Sequence, residues 1–201
     1  MLYEYEINGV GVRTGDIICT SDGGAPLLEG RFWHFVGNLI PGDVDHVALY
    51  LGPGGRCIEA GPKGVSLYEV KNKTWDPLTM QSQRGSVVDR FYGVACPVEG
   101  RGLADDKKDQ IRKSVATYCM AQAGKPYNMN FQNSKTEETF YCSQLVCLAY
   151  LKSGIHLYTE LGEPLFPGMY SIIFPQEIWS GSVNKKRMSA AVVGSGAVLR
   201  V

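Results

Sequence analysis

Cys142 lies in the run Phe140-Tyr141-Cys142-Ser143-Gln144-Leu145-Val146, where an irregular polar stretch from Asn128 to Thr139 gives way to an apolar helical pattern. A thiol there sits at or near the first turn of a helix. The unpaired N–H groups and the positive end of the helix dipole favour a thiolate at that place. A thiolate nucleophile works with a base. The best base in the chain is His46, far upstream, in the alternating segment His46-Val47-Ala48-Leu49-Tyr50-Leu51. The turn signal Gly52-Pro53-Gly54-Gly55 then predicts a hairpin that returns through Arg56 to Ala60. A tight turn brings Glu59 opposite or diagonal to His46, on a shared face. A carboxylate beside an imidazole fixes its tautomer and stabilises the imidazolium.

Each residue also has a plainer reading. Glu59 in a largely apolar strand needs a partner in any case, and a Glu–His pair alone is more often structural. Cys142 alone fits a buried small hydrophobe, but that reading suits Cys119 and Cys147, inside helical patterns, and Cys19, Cys57 and Cys96, in or beside strands, better. Together, Cys142, His46 and Glu59 give a nucleophile, a base and an orienting acid. Tyr127, in Gly124-Lys125-Pro126-Tyr127, precedes the loop that leads to Cys142. Its phenol is suited both to the reaction centre and to packing on the core. Backbone N–H groups at the helix start, including that of Cys142, are the expected oxyanion donors.

Other candidates are weaker. His34 lies in Phe32-Trp33-His34-Phe35 and reads as packing or substrate wall; His156 follows the Cys142 helix and is held at its far end. Gly194-Ser195-Gly196 is too near the C-terminus to open a dinucleotide-binding unit. There is no Cys-x-x-Cys or His-x-x-x-His pair, so neither a structural zinc site nor another metal or cofactor is expected.

The elements that must position these groups follow from pattern. Strands are expected over Val12 to Thr20, with Gly15-Asp16 at the start, and over Gly64 to Val70 and Ser86 to Val94, besides the His46 hairpin. Arg31 to Leu39 reads as a short helix and Pro97 to Gly102 as a loop. A helix over about Asp105 to Ala123 is capped by Asp105 or Asp106 and closed by Gly124 and Pro126. A second runs from near Cys142 to Gly154, and Ala190 to Val201 reads as a terminal strand. Clustered hairpin strands with segregated helices indicate an α+β fold.

Bulk properties set the class. With 201 residues, 44% of them hydrophobic and 20% charged, the chain suits one domain, 1–201, with a substantial core. Lys plus Arg and Asp plus Glu number 20 each, which argues against nucleic acid as a partner. No apolar run is long enough to span a bilayer. The start, Met1-Leu2-Tyr3-Glu4-Tyr5-Glu6, has no basic region or apolar stretch of a secretory signal, so a cytoplasmic location with reduced thiols is expected.

Four blocks, in order, resemble a known group. Gly124-Lys125-Pro126-Tyr127 with Phe140 to Val146 is similar to the nucleophile region of the NlpC-type papain-like cysteine peptidases. Gly42-Asp43-Val44-Asp45-His46-Val47-Ala48-Leu49-Tyr50-Leu51-Gly52 resembles their His strand. Here that strand precedes the Cys helix, the order of the circularly permuted branch with the YaeF/YiiX-like proteins and the lecithin:retinol acyltransferase-like enzymes. Thr14-Gly15-Asp16-Ile17-Ile18, and Glu59-Ala60 followed by Gly64-Val65, match the permuted bacterial members. The resemblance spans roughly residues 12 to 180. It implies a permuted papain-like core, an antiparallel sheet or small barrel packed on the nucleophile helix. It implies Cys142 as nucleophile, His46 as base, Glu59 as orienting residue and Tyr127 as an additional active-site tyrosine. Two positions depart from it: Tyr141 replaces the Asp before the nucleophile, and Gln144 replaces the Gly after Cys-Ser. That Asp holds the free amine of a cell-wall peptide in the non-permuted enzymes.

The expected activity is cysteine-dependent hydrolysis of an amide through a thioester. The substrate is a short peptide, such as a cell-wall fragment, or an acyl-amide, with Trp33, Phe35, Tyr141 and Phe166 as apolar pocket walls. Acyl transfer to an amine or alcohol, or on a lipid-like amide or ester, is the same chemistry with a different attacking group. A non-catalytic binding module on this fold is the rival, and it predicts an unreactive Cys142.

Overall fold

A computed structural model of the protein describes residues 1–21, 42–85, 89–157, 172–181 and 184–188. The expected helix at 31–39 and strand at 190–201 lie outside these residues, as do Trp33, His34, Phe35 and Phe166.

The chain begins with a hairpin, β1 (Glu4–Ile7) and β2 (Val10–Arg13). The main sheet is built from β3 (Ile17–Ser21), β4 (His46–Tyr50), β5 (Arg56–Gly61), β6 (Gly64–Glu69), β7 (Arg90–Cys96) and β8 (Lys185–Met188). Its order is β6-β5-β4-β3-β7-β8, and every neighbouring pair is antiparallel. The helices are α1 (Pro77–Arg84), α2 (Asp105–Ala121), α3 (Cys142–Leu151) and α4 (Pro175–Ser180).

Alternation along the strands sorts side chains onto two faces. Ile17, Cys19, Val47, Leu49, Ile58, Ala60 and Ala95 form one core with residues of α2, α3 and α4. Ile18, Ala48, Tyr50, Cys57, Val94 and Cys96 form the other, covered by Ile7, Val10 and Val12 of the hairpin and by Trp75 and Met80. Burying both faces explains why the central strands are apolar at nearly every position. The helix α3 packs on β4 and β5. The helix that begins at Cys142 thus lies over the strands that carry His46 and Glu59.

Several details differ from the sequence expectation. The strand expected over Val12 to Thr20 is two strands. The chain turns at Thr14–Gly15, where Asp16 N–H donates to the Arg13 carbonyl and the Asp16 carboxylate accepts from Arg13 N–H. The first strand belongs to the hairpin and the second to the main sheet. The cap of α2 is the backbone of Ala104, without a side-chain bond. Asp105 and Asp106 instead occupy the first turn, where carboxylates complement the positive end of the helix dipole. The helix α1 has no expected counterpart, because its buried residues are only Met80 and Arg84, too thin a stripe to read as amphipathic. It is set locally: Asp76 accepts from Thr79 N–H at 2.8 Å, and Pro77 opens the first turn.

Candidate active site

The β4–β5 ladder closes at Tyr50–Cys57 and Leu49–Ile58. Carried on, that register sets His46 opposite Gly61 and makes Glu59 its diagonal neighbour. Nε2 of His46 lies 2.7 Å from Oε2 of Glu59. A Cβ on Gly61 would come within 3.2 Å of Oε1 of Glu59, so the glycine leaves room for the carboxylate. Glu59 is buried, and the His46 side chain is 15% exposed, so the imidazole lies between the sheet interior and the surface.

The Cys142 side chain also acts on the imidazole. Since Nε2 is held by Glu59, Nδ1 is the nitrogen left for the thiol. Burial opposes a charge on His46, but the Cys142 thiolate, its hydrogen bond, and the bond and charge of Glu59 outweigh it and push the imidazole up to about 10. For Glu59, burial is outweighed by the charge of Arg84 and the bond to His46, which bring its carboxyl down to about 2. The arrangement favours an imidazolium at His46 backed by an ionised Glu59.

Cys142 is the first residue of α3, so its N–H is among the amides of the first turn that have no intrahelical acceptor. Gln144, fully buried, ties this turn down. Its Oε1 accepts from Tyr141 N–H at 3.2 Å and from Asn128 Nδ2 at 3.0 Å, and its Nε2 donates to the Thr136 carbonyl at 2.9 Å. The Gly-to-Gln departure at this position therefore anchors the loop from Asn128 to Thr136 on the helix start.

Tyr127 is carried beside this helix by backbone pairing. Phe140 N–H donates to the Pro126 carbonyl, and Asn128 N–H donates to that of Phe140. On its other side the segment bonds to β6: Val65 N–H donates to Lys125 and Gly124 N–H to Val65. Gly64, with φ of +75°, presses against the Lys125 carbonyl, where a Cβ has no room. The Tyr127 ring is half-buried and meets Phe131 edge-on, with centroids 6.3 Å apart.

Tyr141, expected as a pocket wall, is fully buried. Its ring packs on Phe131, and its hydroxyl accepts from Ile173 N–H at 3.1 Å. Next to Cys142 on the other side, the Ser143 hydroxyl donates to the Ile173 carbonyl at 2.6 Å. Tyr141 is thus a core residue that holds residues 172–174 against the helix start. Its phenol is committed inward, to the backbone of Ile173. His156 is exposed and follows the last turn of α3, far along the helix from Cys142.

A family model for permuted papain-like amidase enzymes (YaeF/YiiX, C92 family) matches residues 13–167. The chain belongs to this family. A crystal structure of yiiX from Escherichia coli O157:H7, described as a metalloprotein, shares the fold. The TM-score is 0.56 at 18% identity, over 87% of this chain and 95% of that one. Nothing among the curated proteins matches. Among the described residues, no group of three or more His, Cys, Asp or Glu side chains could hold a metal ion. Both Glu59 oxygens are already engaged by Arg84 and His46. The described helices include none long and apolar enough to cross a membrane.

Within this permuted amidase fold, the residues that the sequence reading missed are the partners of Glu59. Arg84, at the end of α1, donates from Nε to both Glu59 oxygens at 2.9 Å, and its Nη2 lies 2.7 Å from Oε2. Its Nη1 donates to Asp89 at 2.6 Å, and Asp89 accepts from the Thr20 hydroxyl at 2.7 Å. The burial of Glu59 in an apolar strand signals that a cation must exist. No local pattern singles out Arg84 from the polar run Gln81-Ser82-Gln83-Arg84.

Proposed function

We propose that the protein hydrolyses an amide bond of a short peptide or acyl-amide, with Cys142 as nucleophile and His46 as general base and acid. The Cys142 thiolate attacks the carbonyl carbon; a C–S bond forms and the carbonyl π electrons move to oxygen. The N–H groups at the start of α3 stabilise that oxyanion. On collapse the C–N bond breaks, and the departing amine takes the proton of the His46 imidazolium. Water then gives a proton to His46 and attacks the thioester. The C–S bond breaks, releasing the acid and restoring the thiolate. Glu59 keeps Nε2 engaged throughout, so Nδ1 handles the proton. Tyr127 lines the approach beside the helix start.

The observation that carries this reading is His46 itself, held through Nε2 by Glu59 at 2.7 Å and coupled to Cys142. With Tyr141 in place of an acidic residue and its phenol buried, the amine-holding carboxylate of cell-wall enzymes has no equivalent there. An acyl-amide without a free α-amine fits better.

The test is alkylation with iodoacetamide and adduct mapping by mass spectrometry. Burial pushes the thiols of Cys19, Cys57, Cys96, Cys119 and Cys147 up, Cys96 to about 12. Cys142 is expected to label first, and His46→Ala to slow it at least tenfold, in the range of a lost acid–base partner, roughly 10². Labelling elsewhere, or labelling of Cys142 that ignores His46→Ala, would overturn the proposal. Product analysis with added amine separates hydrolysis from acyl transfer.

A further inference from the structure

Glu59, Arg84, Asp89 and Thr20 form a buried chain that starts at His46 and returns to it. Arg84 donates to Glu59 from Nε and to Asp89 from Nη1, with Nη2 2.7 Å from Oε2 of Glu59 as an ion pair. Asp89 holds the Thr20 hydroxyl, and Thr20 is the partner of His46 in the β3–β4 register. The guanidinium is wedged against the rings of Tyr68 and Trp75, 4.9 and 5.2 Å from their centroids. Trp75 Nε1 donates to the Asp89 carbonyl at 3.1 Å. Arg84, Glu59 and Asp89 are all buried.

We propose that Arg84 is a positioning residue for the reaction: it holds Glu59 in place as the anionic partner of His46, and Asp89 and Thr20 lock that arrangement to the strand next to His46. The inference rests on the reading of Cys142 and His46 as the reacting pair. The charges explain why two carboxylates are present. One guanidinium between Glu59 and Asp89 leaves one negative charge, and the proton on His46 faces it. The guanidinium thus keeps Glu59 ionised, and the surplus carboxylate charge favours the proton on His46. A merely structural Arg84 would pin α1 to the sheet and nothing more. A planar fork is needed to engage both carboxylates, which a lysine does not reproduce.

The titratable and charged groups facing Glu59 are His46 from β4, Cys57 from its own strand, Tyr68 from β6, Arg84 from α1 and Asp89 beyond it, with Cys142 across His46. Arg84 and His46 are the cations of that set. Without Arg84, burial governs Glu59, and the carboxylate takes up a proton at a pH where the native one does not. His46 then loses its anionic partner, and the thiolate is lost at higher pH.

The experiment measures the rate of Cys142 alkylation by iodoacetamide, and thiolate ultraviolet absorbance against a Cys142→Ala blank, across pH. The full chain is used with Arg84→Gln, Arg84→Lys and Thr20→Val. In Arg84→Gln the acid limb of both signals moves up by about one pH unit or more; Arg84→Lys restores part of the shift, and Thr20→Val moves the limb slightly in the same direction. If Arg84→Gln does not fold, the other two variants decide by the same criterion. Acid limbs that superimpose on the wild type in every folded variant, with rates lowered only by the folded fraction, overturn the inference and leave Arg84 structural. If the wild-type protein shows no His46-dependent labelling of Cys142, the reading of the reacting pair falls, and this inference falls with it.

Discussion

Asn128 and Gln144 are joined by a buried side-chain hydrogen bond of 3.0 Å, across a loop that the sequence leaves irregular. Asn128 also donates to the Asn133 carbonyl, and its Oδ1 accepts from Asn130 N–H. The pair thus folds the loop on itself and fastens it to the helix that starts at Cys142. Gln144→Ala strands Tyr141 N–H, the Thr136 carbonyl and one Asn128 donor. A loss of about 2–4 kcal/mol is expected, measured by denaturant unfolding. Alkylation of Cys142 should also slow in the protein that remains folded.

Ile173 is held through both of its backbone groups by the two neighbours of Cys142, its N–H by Tyr141 and its carbonyl by Ser143. Tyr141→Phe and Ser143→Ala should each cost about 1–2 kcal/mol. Because both act on one peptide segment, the double variant should depart from additivity. Amide hydrogen exchange at residues 172–174 reports the release directly: it should quicken in each variant, most in the double one, while exchange in β3 and β4 stays unchanged.

His46 is pushed up to about 10, and its two roles separate at high pH. Above that value the imidazolium is gone and cannot protonate a leaving amine, whereas alkylation of a thiol needs no proton from it. Amide turnover should therefore fall as pH rises through about 10, while alkylation of Cys142 by iodoacetamide does not. Parallel pH profiles of the two rates check this. A common alkaline decline in both would instead indicate unfolding.

Glu59→Gln keeps a hydrogen-bonding group against His46 but removes the charge that Arg84 faces. Arg84 keeps its buried pair with Asp89, so the cost stays below the roughly 3–5 kcal/mol of a fully broken buried pair, which thermal and denaturant unfolding will show. Native stability should follow the two shifted groups. The Glu59 contribution is complete above its usual value of 4.5 and is lost as pH falls through about 2. That of His46 is complete below its usual value of 6.5 and is lost as pH rises through about 10. In Glu59→Gln the acid part of this dependence should flatten.

Much of the sheet is legible in the sequence. The alternation in His46–Leu51, the glycine-rich turn and the returning Cys57–Ala60 segment predict β4 and β5 nearly to the residue, because a period of two with a tight turn has few alternatives. The helix starting at Cys142 is legible because a polar stretch meets an apolar one there. By contrast, α1 shows no stripe, since it buries a methionine and an arginine. Tyr141 reads as an aromatic near the site, and only its hydrogen bond to Ile173, 32 residues on, shows that it points inward.

The sequence by itself determines which groups are present and in what order: a thiol at a helix start, a His strand upstream of it and a Glu on the returning strand, an order that matches the permuted papain-like branch. These are local signals, written by periodicity and turn chemistry. The tertiary structure decides what those groups are bonded to. Arg84 lies 25 residues from Glu59, and Thr20 lies 69 from Asp89. A buried carboxylate requires a cation but does not specify which one, because that choice depends on packing between elements distant in the chain. Which groups Glu59 meets, His46 on one side and Arg84 on the other, is therefore decided by the fold.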